Sequence, residues 1–159
     1  MELIGGFALA ICGGALAVGL AGIGSSIGVG LAGQASNGVM SEKSELFAPL
    51  LLLTALPGTQ GIYGFLIGVV LIMKIGLLGG TLVSLTVPQG FNIFFACMPV
   101  ALAGLVSGIH QGKVCATGVY MVAKKPSDFV KPLVMAVFVE FYAVLGLLTS
   151  LLMLNGITL

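Results

Sequence analysis

Long apolar runs separated by brief polar turns make up almost the whole chain. No charge occurs from Leu3 to Met40; Glu42, Lys43 and Glu45 follow, and Leu46 to Met73 is again uncharged. Lys74 stands alone, Ile75 to Gly112 has no charge, and Lys113 precedes a polar group of Lys124, Lys125, Asp128 and Lys131. One acid, Glu140, then lies in an otherwise apolar run to Leu154. Four stretches, at about 3–39, 46–78, 89–122 and 128–155, each exceed the ~20 residues that cross hydrocarbon. Lipid offers the backbone no hydrogen-bond partners, so such spans are helices or a closed barrel. A barrel needs short alternating strands, and these runs do not alternate. The pattern predicts an all-α membrane protein of four transmembrane helices. At 1.5 Å per residue, spans of about 30 residues reach roughly 45 Å, which implies tilt or protrusion.

Shifting the chain by 82 residues brings out a repeat. Leu20-Ala-Gly-Ile-Gly-Ser-Ser-Ile-Gly-Val-Gly30 falls on Leu102-Ala-Gly-Leu-Val-Ser-Gly-Ile-His-Gln-Gly112. Lys43, Phe47, Leu51, Gly64 and Leu66 recur as Lys125, Phe129, Leu133, Gly146 and Leu148. The unit is a helical hairpin used twice in tandem, 1–80 and 81–159, and an even helix count makes the repeats parallel. Gly22, Gly24, Gly28, Gly30 and Gly33, with Ser25 and Ser26, give the first helix several small-xxx-small faces. These let helix backbones approach closely in lipid. So many on one helix predict packing among copies, as inside a ring; the alternative is packing of two helices within one chain.

Composition agrees. The chain is 58% hydrophobic and 7% charged, far below the ~25% charged of soluble domains, with a mean hydropathy of +1.22. A net charge of +1, with six lysines and no arginine, excludes a nucleic-acid-binding field. Intrinsic disorder is excluded too. Cys12, Cys97 and Cys115 are odd in number, lie in apolar runs and lack zinc spacing, which predicts small buried hydrophobes rather than a disulfide scaffold. Leu3 to Leu20 is preceded by Glu2 and by no Lys or Arg, so it reads as the first span and not a signal peptide. Lys43, Lys124, Lys125 and Lys131 crowd the turns at 41–45 and 123–131, whereas the connection from about Leu78 to Gln89 is uncharged. Positive-inside reasoning puts both lysine-bearing turns in the cytoplasm and both termini outside, with Lys74 a minor dissent.

Two nucleotide motifs fail on context. Gly28-Val-Gly-Leu-Ala-Gly33 matches GxGxxG but follows no strand, and Gly112-Lys113 lacks the earlier glycine and the following Ser/Thr of a P-loop. The chain has no visible means of hydrolysing ATP, and no catalytic residue is assigned. Glu140 carries the chemistry instead. It is 12 residues past Asp128, about 18 Å along a helix and near the bilayer centre. An acid there costs about 2.5–3.5 kcal/mol on insertion scales and marks an ion or proton path; a carboxyl kept protonated or paired for packing is the plainer alternative. Gln60, 15 residues past Glu45, and Gln111, 13 before Lys124, lie at the same depth, on the order of 20 Å from that face. Leu56, Thr59, Gln60 and Tyr63 share one stripe of the second helix. A carboxylate with neutral amide, hydroxyl and carbonyl oxygens suits a hard monovalent cation, whereas a proton needs the carboxyl alone. Pro57 lacks an N–H and frees the Leu53 carbonyl, which lines a site or simply kinks the helix. Lys113 is about 200° round the helix from Gln111, so it cannot face Glu140 if Gln111 does, and it snorkels. His110 reads as a helix-packing residue, with proton relay the alternative.

Leu56-Pro-Gly-Thr-Gln-Gly-Ile-Tyr-Gly-Phe65, Gly108-Ile-His-Gln-Gly-Lys-Val114 and Val139-Glu-Phe-Tyr-Ala-Val-Leu-Gly146 resemble the proteolipid rotor-ring subunits (c or K) of bacterial sodium-translocating V-type ATPases. The resemblance covers nearly the whole chain. It implies a homo-oligomeric ring of four-helix subunits, first and third helices inside, second and fourth outside. It implies Na+ ligands at the Leu56 carbonyl, Thr59, Gln60, Gln111 and Glu140, with the Tyr63 hydroxyl bonding the glutamate; Leu56 rests on the resemblance alone. His110 and Phe141 depart from the usual pattern without touching that set. Identical subunits, a membrane stator subunit, a central-stalk subunit at the cytoplasmic turns and lipid are the implied partners, with Na+ as transported ion, no organic cofactor and ATP hydrolysed elsewhere in the complex. A proton-carrying ring, and an independent small channel or secondary transporter, are the alternatives.

Overall fold

A computed structural model describes residues 2–159, with side chains from Gly5 onward. Its helices are α1 (Glu2–Met40), α2 (Phe47–Ala55), α3 (Thr59–Lys74), α4 (Val87–Lys124) and α5 (Val130–Gly156). A 3-10 turn, Leu56–Gly58, joins α2 to α3, so the second of four membrane-length segments is a broken helix. No strand occurs among the described residues. Pro57 explains the break: it has no N–H to continue the ladder, and the chain tightens into i→i+3 bonding for one turn. The second span also ends at Lys74 rather than near residue 78. Beyond it Gly76 and Gly80 adopt φ of 75° and 74°, which only glycine takes without strain, and Val83 N–H bonds back to the Ile75 carbonyl. The Thr86/Gln89 capping box then starts α4.

Packing follows glycine. A Cβ at Gly24 would fall 2.5 Å from the Gly104 carbonyl oxygen, and one at Gly108 would fall 2.6 Å from the Gly24 carbonyl carbon. Gly28 meets the Gly108 carbonyl and Gly112 meets the Gly28 backbone in the same way, and at the other end Gly90 meets the Gly6 backbone. The spacings are 80 (104 − 24) or 84 (108 − 24), either side of the 82-residue repeat, so α1 and α4 lie parallel and in repeat register. The Gly24/Gly28 face is therefore filled inside the chain, and packing among copies does not account for it. Gly19, Gly22, Gly30 and Gly38 do have open space around them in the single chain. Around this glycine pair the repeat is kept in detail. Gly64 of α3 packs on Ala17 and Ala21 of α1, and its counterpart Gly146 of α5 packs on Pro99 and Ala103 of α4, each one repeat further along.

The turns are tied as well: Lys43 Nζ donates to the Ala123 carbonyl at 2.5 Å, and Lys125 and Lys131 flank Asp128 at 3.4 and 2.9 Å. Two expectations are corrected. Cys97 and Cys115 are buried, but Cys12 is exposed on the single chain, because it lies on the side of α1 away from α4. His110 is exposed rather than packed between helices of this chain, since the neighbouring Gln111 takes the inward position.

Candidate ion-binding site

The apolar core is in two parts. One cluster holds Ala17, Ile67, Leu71, Ile93 and Val100; the other, nearer the hairpin turns, holds Leu50, Leu53, Cys115, Val119 and Ala136. Between them in the chain's register lies a polar layer whose buried members include Ser25, Gln60, Ser107 and Gln111.

Gln111 organises it. Its Nε2 donates to the Ala136 carbonyl at 3.0 Å and to Glu140 Oε2 at 3.3 Å. Both are acceptors, so the amide must present its NH2 to α5 and its oxygen to α3. There Gln60 Nε2 donates to Gln111 Oε1 at 2.5 Å. That bond engages the amide nitrogen of Gln60, while its Oε1 is fully buried with no hydrogen-bond partner among the described residues. A buried amide oxygen in that state costs about 1–3 kcal/mol unless something satisfies it. From the other side the Tyr63 hydroxyl donates to Glu140 Oε1 at 2.6 Å, so both carboxylate oxygens are held. Thr59 Oγ1 donates to the Leu56 carbonyl at 3.0 Å, and the Thr59 backbone N–H bonds the same oxygen, which the 3-10 turn makes possible. Glu140 itself is only partly buried and has no cationic partner among the described residues. Lys113 is exposed while Gln111 is fully buried, as their separation round α4 requires.

Thus Gln60, Tyr63, Gln111 and Glu140 form one hydrogen-bonded network across α3, α4 and α5, with Leu56 and Thr59 joined at the helix break one turn away. Three elements escape sequence reasoning: the amide-to-amide bond, the Ala136 carbonyl that orients Gln111, and Ser25 Oγ, which accepts the Gly61 N–H at 2.7 Å. Only Ser25 leaves a signal, as a polar residue inside the glycine run.

The sequence model of the ATP synthase C subunit matches this chain twice, at residues 12–71 and 94–153. The chain belongs to the ATP synthase C subunit family. The two matches start 82 residues apart (94 − 12) and end 82 apart (153 − 71), the interval that relates Gly64 to Gly146. The V-type sodium ATPase subunit K of Enterococcus hirae is 41% identical over 153 residues, 96% of this chain and 94% of its own length. The A-type ATP synthase subunit K of Methanocaldococcus jannaschii is 37% identical over 149 residues, 94% of this chain and 63% of its own length. As a member of that family the chain is a multi-pass membrane protein, one of the ring of copies that its members form. It is ion-translocating and non-catalytic, and the reading as an independent channel or secondary transporter is set aside.

Proposed function

We propose that this protein carries Na+ in the rotor ring of a V/A-type ATPase, bound by the Glu140 carboxylate, Gln111, Gln60, Thr59 and the Leu56 carbonyl, with Tyr63 steadying the glutamate. The orphaned Gln60 Oε1 is the observation that favours it. A proton on Glu140 needs no neutral oxygen ligands, whereas a cation beside the carboxylate would take that oxygen as one. Neutral oxygens replace the ion's water and a single carboxylate cancels its charge, so the loaded site is neutral. The E. hirae relative, a sodium ATPase subunit, supports the same ion.

With Na+ bound, the neutral site passes through lipid as the ring turns; at a stator subunit a basic group and an aqueous path release the ion. Moving one charge across 100 mV is worth about 2.3 kcal/mol, so several ions pass per ATP. The halves 1–80 and 81–159 are the two repeat units, contributing one site between them. The turns at 41–45 and 123–131 face the cytoplasm and meet the central stalk, and both termini lie outside. Lysines crowding those turns, against the uncharged connection at the other end, support that orientation.

The test is carbodiimide labelling of Glu140 in the assembled complex, with Na+ titrated at fixed pH. Protection that saturates with Na+ is the expected result. Labelling indifferent to Na+ and lost only as pH rises would replace this reading with a proton-carrying ring.

A further inference from the structure

We infer that Ser25, on α1, is a positioning residue for the ion site: its hydroxyl holds the broken turn of the second span at the geometry that aims Gln60 and the Leu56 carbonyl. The inference rests on the proposed ion site.

The first N–H groups of any helix have no acceptor within it. When Pro57 breaks the second span, α3 begins at Thr59 and the Gly61 N–H becomes one of these orphans at membrane depth, where no water can satisfy it. Ser25 Oγ accepts it at 2.7 Å, and Ser25 is only 7% exposed. Gly61 is the residue after Gln60 and two after Thr59. One bond therefore fixes the backbone from which both side chains leave. A second contact stops that turn from pivoting: Gly28, one turn along α1 from Ser25, is so close to Pro57 that a Cβ would fall 2.8 Å from the proline Cβ. Gly58 adds a looser contact, with Val29 Cγ2 at 3.6 Å from the Cβ it lacks. Helix α1 offers no ligand, yet it holds the turn that offers most of the neutral ones.

Ser107 provides an internal control. It is the counterpart of Ser25 one repeat later (107 − 82 = 25), is 4% exposed, and has no hydrogen-bond partner among the described residues. The helix it faces is α5, which is unbroken from Val130 to Gly156, so the residue matching Gly61, Ala143, has no orphan N–H to offer. Depth, burial and residue type are alike, and only the bond differs.

Ring-containing complexes of wild type, Ser25→Ala, Ser25→Thr and Ser107→Ala would be labelled at Glu140 with carbodiimide while Na+, and separately Li+, is titrated. Ser25→Ala should raise the Na+ for half-protection roughly 10-fold, the low end of what loss of an outer-shell partner costs a metal site. It should also change the Na+/Li+ ratio, since a slack carbonyl turn discriminates less by size. Ser25→Thr, which keeps the acceptor, should stay near wild type, and so should Ser107→Ala. Half-protection and ion ratio unchanged in Ser25→Ala would overturn the assignment, as would an equal shift in Ser107→Ala. If Ser25→Ala yields no ring, Ser25→Cys, similar in size but a weak acceptor, should show the shift in part; a Ser25→Cys ring identical to wild type overturns the assignment. Should wild-type labelling ignore Na+, the sodium reading fails by itself. The pH midpoint of labelling then tests Ser25, and coincident midpoints for wild type and Ser25→Ala refute its role.

Discussion

The two hairpins share a packing scheme and differ in how they treat one turn. In the first, Pro57 breaks the outer helix, the Gly61 N–H is released, and Ser25 takes it. In the second, Val139 stands where the proline would be, the helix runs on, and Ser107 is left with nothing to bond. Gly58 and Glu140 occupy the same repeat position, as do Val29 and Gln111. One hairpin thus offers neutral oxygens from a broken helix, and the other offers the charge from an intact one. A broken helix exposes backbone carbonyls but is poorly braced; an intact helix braces a carboxylate but exposes no carbonyl. Combining one of each makes a site that neither hairpin could make twice. Prolines follow the same logic elsewhere: Pro99 lies inside α4, and Ser150 Oγ of α5 accepts the adjacent Val100 N–H at 3.1 Å.

The largest effect expected is at the charged position. Glu140→Gln removes the single negative charge while keeping the size and a hydrogen-bonding group, so the complex should assemble but lose essentially all Na+-dependent transport and Na+-stimulated ATPase activity. Sodium uptake into vesicles measures this directly. Retained uptake would mean that the intact hairpin is not the source of the charge, and the division between the two halves would fall.

Next come the glycines on which both hairpins rest. A methyl group at Gly112 would run into the Gly28 backbone, and backbone cannot step aside as a side chain can. Overpacking of this kind costs about 1–3 kcal/mol or more. Gly112→Ala should therefore lower the yield of folded protein, read by detergent-gel mobility and helix content. Gly30→Ala meets nothing within 4 Å in its own chain, so the folded protein should survive. Any loss of ring in Gly30→Ala with the single chain intact would place that open face against a neighbouring copy.

How far these differences can be read without a structure varies by residue. The four spans are legible because uninterrupted apolar runs have few other meanings, and the parallel repeat is legible because equal packing demands equal small residues. The shared depth of Gln60, Gln111 and Glu140 follows from 1.5 Å per residue and two flanking turns. What the amides do at that depth is not legible: their bonds depend on which end of each faces the other, and the Ala136 carbonyl that decides this is backbone, present at every position. Glycine spacing says that a close approach exists but not to what, which is why Gly24 and Gly28 meet α4 of the same chain. The missing proline N–H points to the Leu53 carbonyl, whereas the 3-10 turn gathers the Thr59 hydroxyl and N–H on the Leu56 carbonyl. A proline's missing N–H can be read from sequence; the rewound turn that follows it depends on α1, where Ser25 and Gly28 hold it.

The smallest effect expected separates a hydroxyl that is used from one that is not. Ser107 is nearly as buried as any residue in the polar layer and has no partner among the described residues, so within the single chain its hydroxyl has given up its interactions without replacement. Ser107→Ala removes that unsatisfied group and leaves only the space of one oxygen. The lost penalty, about 1–3 kcal/mol for an unmade hydrogen bond, exceeds the packing lost with a single atom. Dissociation of the Ser107→Ala ring should then need a slightly higher temperature than wild type, whereas Ser25→Ala, which strands the Gly61 N–H, should move the other way. A Ser107→Ala ring that comes apart earlier than wild type would show that Ser107 has a partner in the assembled ring, supplied by the adjoining copy, and the contrast between the two serines would end there.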